Sequence, residues 1–88
     1  METLEYKVPD GKLLQAKVKI EEETIKDIEI TGDFFIHPEE SIKDIEESLK
    51  GKKTDEVEKR IEDFIESKDI EIVGFKPKDV EEMIKKKY

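Results

Sequence analysis

The chain reads as a single α+β domain: a small antiparallel sheet of three to four strands, with about three helices packed on one face. Two observations predict this class. Apolar residues alternate with charged ones three times before residue 37, the period of half-buried strands. From residue 38 the spacing changes to that of amphipathic helices.

The strands come first. Leu4, Tyr6 and Val8 alternate with charged residues, and "VPDGK" then supplies a turn, with Pro presetting φ and Gly accepting a left-handed position. Leu14, Ala16, Val18 and Ile20 alternate again up to the polar stretch "EEET". Ile28, Ile30, Gly32, Phe34 and Ile36 form the third run, completing an antiparallel meander with one apolar face.

The helices follow. Ile42, Ile45 and Leu49 share one face of a first helix, with Pro38 suited to its first position, Glu39 and Glu40 favouring its positive end, and Gly51 at its stop. A second helix starts near Thr54, a candidate N-cap, and buries Val57, Ile61, Phe64 and Ile65. "DIEIVGF" reads as a fourth strand or an extended connector, and a third helix from Pro77 carries Val80, Met83 and Ile84 on one face. The approaches "FFIHPEESI" and "VGFKPKDVEEM" are alike, each running from extended chain through X-Pro into a helix. Residues 1–88 make one domain, without repeat, linker or low-complexity tail.

Composition narrows the function. A net charge of −8 and a pI near 4.8 argue against nucleic acid and against an anionic membrane surface. No segment reaches the roughly 18 to 20 apolar residues of a membrane span, and no signal-peptide pattern opens the chain. The absence of Cys excludes disulfides, thiolate chemistry and Cys-ligated metals, and a cytoplasmic protein is expected. Charged residues make up 48%, about twice the usual quarter, Asn is absent and Lys, Glu and Ile dominate, a bias associated with hyperthermophile proteins.

Catalytic groups are few. His37 is the single imidazole, and beside Glu39 and Glu40 it could belong to a metal site or an acid–base pair; the plainer reading is a flank to a helix start. Ser41, Ser48 and Ser67 lack a nucleophile-elbow context, and the four Gly residues form no phosphate-binding loop. "IKKKY" complements a helix end, or grips a phosphate or an acidic partner. The chain is not expected to be an enzyme by itself.

The most distinctive stretch is "ITGDFFIHPEES", which places two of the six aromatics side by side. Gly32 marks a gap or bulge, Asp33 can fix the corner through its side chain, and Phe34 continues the core face. Alternation sends Phe35 to the opposite face, where another chain would cover it, unless a bulge turns both rings into the core.

Residues 6–52, "YKVPDGKLLQAKVKIEEETIKDIEITGDFFIHPEESIKDIEESLKGK", resemble the C-terminal accessory domain of lipoate–protein ligases. The resemblance rests on a Lys-x-Pro-x-Gly-Lys turn (Lys7, Pro9, Gly11, Lys12), the Gly-Asp-Phe-Phe of Gly32 to Phe35, Pro38 before a helix, and Leu49 with Gly51. The second half resembles the family's tail more loosely.

This resemblance implies a domain without catalytic residues that supports a large catalytic subunit. That subunit binds lipoate, ATP and Mg, forms lipoyl-AMP, and passes the lipoyl group to a Lys of an acceptor domain. The small chain itself would bind no cofactor. It implies a fold similar to iron–sulfur scaffold proteins, without the Cys residues of a scaffold. A chain opening with Met1 looks like the split, heterodimeric form of the enzyme. The contact candidates toward partner or adenylate are Lys7, Lys12, Asp33, Phe35 and His37, with Gly32, Phe34 and Pro38 shaping the corner. Two alternatives stay open: a free-standing adaptor for lipoyl or acyl-carrier domains, and one domain excised from a longer ligase.

Overall fold

A computed structural model describes residues 1–9 and 12–88. Asp10 and Gly11, and with them the expected left-handed Gly of the first turn, lie outside the described residues. Strands β1 (Glu2–Lys7), β2 (Leu13–Glu21) and β3 (Thr24–Gly32) form the meander in the order β1-β2-β3, antiparallel throughout. Leu4, Leu14, Ala16, Val18, Ile28 and Ile30 point into the core, as the alternation requires. A register shift follows: Lys19 pairs with Asp27 and Ile20 with Ile25, which leaves Lys26 as the extra residue and returns Ile25 to the buried face. The "EEET" turn holds Glu22 and Glu23 at φ of 51° and 62°, a left-handed pair that side chains adopt reluctantly.

The third apolar run is not one strand. It breaks after Gly32, and a short strand, β4 (Phe35–His37), leaves the meander to pair antiparallel with β5 (Glu71–Val73). The "DIEIVGF" segment is therefore a strand, in a separate two-stranded ribbon. The two segments that looked alike in sequence lie side by side here.

Three helices complete the domain: α1 (Ser41–Leu49), α2 (Val57–Lys68) and α3 (Pro77–Lys85). α1 packs along β3, α3 along β1, and α2 against both other helices. Ile45, Leu49, Val57, Ile61, Val80, Met83 and Ile84 close the core; Ile42, Phe64 and Ile65 are half-buried at its margin. Two helix starts differ from expectation. Pro38 follows a cis peptide bond and opens a turn, not the helix: Ser41 N–H donates to Pro38 O (3.0 Å) and Lys43 N–H to Glu40 O (3.2 Å), so tight i→i+3 bonds precede the α ladder. Thr54 is not an N-cap. It opens a 3₁₀ turn, Thr54–Glu56, and its N–H donates to Glu23 O (2.9 Å), while the Glu56 carboxylate reaches back to the Lys53 N–H (2.9 Å). Pro77 does begin α3, and Asp79, three residues from Lys76, accepts the Lys76 N–H at 2.7 Å.

The outer edge of β3 is bonded from within the chain, and side chains of β1 engage the C-terminal segment. Along β3, Ile25 exchanges backbone bonds with Gly51 and Lys52, and the Glu46 carboxylate accepts the Ile30 N–H at 2.6 Å. Along β1, Tyr6 Oη donates to Glu82 (2.6 Å) beneath the Lys86 ammonium, 4.9 Å from the ring, and Glu2 engages Lys87 and Tyr88. The bond to Glu82 pushes the Tyr6 phenol up to about 12. The C-terminal lysines thus have partners inside the chain, Lys85 pairing with Glu81 at 3.6 Å.

Glu46 gives the fold a pH signature. Burial against the β3 edge pushes its carboxyl above the ordinary 4.5, partly opposed by the Ile30 N–H. Between the ordinary and the raised value the folded chain binds more protons than the unfolded one, so this group's contribution falls as pH rises through that window. Glu46→Gln keeps an acceptor for Ile30 and removes the titration. Urea unfolding between about pH 4 and pH 7 should show the wild type losing stability relative to the variant as pH rises. A constant difference would refute this account of Glu46.

Candidate functional site

The Gly-Asp-Phe-Phe corner is built by two close backbone approaches. At Gly32, φ is +144° and a Cβ would collide with the Leu13 carbonyl oxygen; the next residue's N–H, that of Asp33, donates to that same oxygen at 3.0 Å. At Gly74, φ is +119° and a Cβ would lie 2.9 Å from the Asp33 oxygen and from the Phe34 Cα and Cβ. The corner is therefore held by backbone. The expected capping by the Asp33 side chain is not seen: among the described residues its carboxylate, which is exposed, makes no hydrogen bond.

The Phe pair divides. Phe34 is half-buried with its ring edge-on to Phe75, centroids 4.9 Å apart at 88°. Phe35 is 80% exposed and faces its cross-strand neighbour Val73, itself 61% exposed. Between the two strands Ile36 and Ile72 point inward, so the ribbon is amphipathic with an apolar outer pair. The alternative in which a bulge turns both rings into the core is overturned.

Lys12 lines a shallow hollow with Gly32, Phe34, Phe35 and Val73. A second hollow, of about 340 Å³, lies on the other side of Gly74 between Val8, Ile72, Phe75 and the start of α3. Lys12, Gly32, Asp33, Phe34 and Phe35 are thus brought together. Lys7, exposed at the end of β1, lines neither hollow, and His37 and Pro38 sit at the far end of β4, where His37 faces Glu71 across the ribbon.

The sequence reading missed Val73, Gly74, Lys76 and Lys78. The signal was the likeness of the two X-Pro approaches, each with an apolar residue free to face outward. Chemically the corner can cover and grip. His37 is exposed, and among the described residues no three His, Asp or Glu side chains converge on a cation position. No helix is long and apolar enough to cross a membrane.

Stability should separate the two rings. Phe34→Ala should cost about 2 kcal/mol by losing a half-buried aromatic contact, whereas Phe35→Ala should stay within about 0.5 kcal/mol. Gly74→Ala should cost about 2 kcal/mol or more through the contact with Phe34 and the left-handed φ. Urea midpoints measure all three, and a large loss for Phe35→Ala would contradict its outward position.

Known proteins share this architecture. In sequence, 52 residues are 38% identical to "Lipoate-protein ligase A subunit 2" of Thermoplasma acidophilum, over 59% of this chain and 55% of that protein. The match thus spans about half the length of that relative. In structure, the chain superposes with a TM-score of 0.79 and 30% identity on a solved chain from T. acidophilum, covering 96% of this chain and 93% of that one. That work describes an archaeal lipoylation system, a bi-partite lipoate protein ligase and its E2 lipoyl domain. The family described as "Bacterial lipoate protein ligase C-terminus" matches residues 3–85, and the chain belongs to it.

Proposed function

We propose that this chain is the accessory subunit of a split lipoate–protein ligase. It pairs with a catalytic subunit, supports ATP- and Mg-dependent conversion of lipoate to lipoyl-AMP there, and acts in the cytoplasm ahead of transfer to a lysine of an acceptor domain. The observation that carries this reading is the end-to-end likeness, over more than nine-tenths of both chains, to a chain from a bi-partite ligase. The corner supports the same reading. It offers a rigid backbone, an outward aromatic and a nearby lysine. Such a surface contributes by completing and covering a site on another protein, excluding water from a reactive acyl-adenylate. Lys12, Asp33 and Phe35 are the nearest candidates for that contact, with Lys7 and His37 at its margins.

Adenylate formation by the matching catalytic subunit, with lipoate and ATP, is the direct test. We expect it to require this chain, and Lys12→Ala in the hollow to lower it several-fold. Equal formation without the chain, together with no complex on a sizing column, would overturn the proposal and leave an adaptor role.

A further inference from the structure

The hollow beside the start of α3 has apolar walls and one polar group that the fold leaves half used. Val8 and Phe75 are buried and Ile72 half-buried around a space of about 340 Å³. Asp79, in the first turn of α3, lines the same space and is 1% exposed. Its Oδ2 accepts the Lys76 N–H at 2.7 Å, which fixes the helix start. Its Oδ1 is buried, and among the described residues it alone of the buried side-chain oxygens and nitrogens has no hydrogen-bond partner. An acceptor buried without a donor is destabilising, and one kept at the wall of a hollow calls for a donor from outside.

The surroundings select the chemistry of that donor. A carboxylate or phosphate would bring a second acceptor to Asp79, not a donor. An ammonium or guanidinium would have to enter past the exposed Lys76 and Lys78, which line the same hollow. The apolar walls favour a flat, uncharged ring carrying a single N–H or O–H. Resting on the accessory-subunit reading, we infer that this hollow seats a Trp or Tyr side chain of the catalytic subunit. Its N–H or O–H donates to Asp79 Oδ1 while the ring packs on Val8, Ile72 and Phe75. Such residues are enriched among the anchors of protein interfaces because one end is apolar and the other needs a partner.

Two arms test this. In the first, the full chain alone is titrated with indole and with N-methylindole, which keeps the ring and loses the donor, and backbone amide NMR shifts are followed. Indole should move the amides of Val8, Ile72, Gly74 and Phe75, and should bind at least about tenfold more tightly than N-methylindole. Asp79→Asn keeps an oxygen for the Lys76 N–H and places an amide donor where Oδ1 stood, so it should erase that preference. In the second arm, calorimetry measures association with the catalytic subunit. Asp79→Asn should weaken it at least about tenfold, and Asp63→Asn, the same charge change at an exposed position on α2, less than about threefold. Urea unfolding checks that both variants are folded.

Equal binding of indole and N-methylindole by the wild type would overturn the inference, and that comparison needs no variant. So would unchanged association of a folded Asp79→Asn chain, which would confine the carboxylate to holding the start of α3. Failure of the wild-type chain to bind the catalytic subunit would overturn the accessory-subunit reading together with this inference, an outcome read in the wild-type arm alone.

Discussion

The Gly-Asp-Phe-Phe corner depends on how closely two glycines let the backbone approach. Gly32 lies against the Leu13 carbonyl, which both ends β3 and receives the Asp33 N–H, so the chain leaves the meander at one fixed point. Gly74 lies against Asp33 and Phe34, which brings the approach to α3 alongside. With both in place, β4 and β5 pair and the two residues at the corner separate by pleat alone: Phe34 inward onto Phe75, Phe35 outward beside Val73. A side chain at either glycine would shift the ribbon, and the outward pair with it.

A chain this highly charged must keep its sheet from pairing with other chains while leaving one surface open. Groups from outside the meander meet its edge strands. Glu46 caps a backbone donor of β3, the segment after α1 bonds along the same edge, and α3 folds its lysines onto Glu2 and Tyr6 of β1. Single exposed ion pairs of this kind are worth little energetically. Their larger effect is to hold the chain termini and the loop after α1 against the sheet.

The class of fold was legible because period is a direct consequence of geometry: two for strands, near four for helices. Leu14, Ala16 and Val18 on β2, and Val80, Met83 and Ile84 on α3, lie on the faces their spacing predicts. What spacing could not show was which strands pair. Ile28 to Ile36 keep perfect parity through Gly32, so nothing in the alternation marks the break; that depends on a φ of +144° and on the Leu13 oxygen, contributed from elsewhere in the chain. The helix starts were misplaced for a similar reason. Thr54 has the chemistry of a cap, but its N–H is drawn to Glu23 in the β2–β3 turn, a tertiary contact that outweighs local preference. The corner was recognised as unusual from its two adjacent rings, while its second half, Val73 to Lys78, was invisible until β5 came alongside β4.

On the proposed accessory role, the chain would govern a reaction by supplying shape at the right moment. Acyl-adenylates are hydrolysed by water, so a surface that closes over one acts through exclusion and positioning. Those tasks call for rigidity at the point of contact and tolerance elsewhere. The corner meets the first requirement with a backbone-fixed turn and a packed Phe34, leaving Phe35 as the outward element.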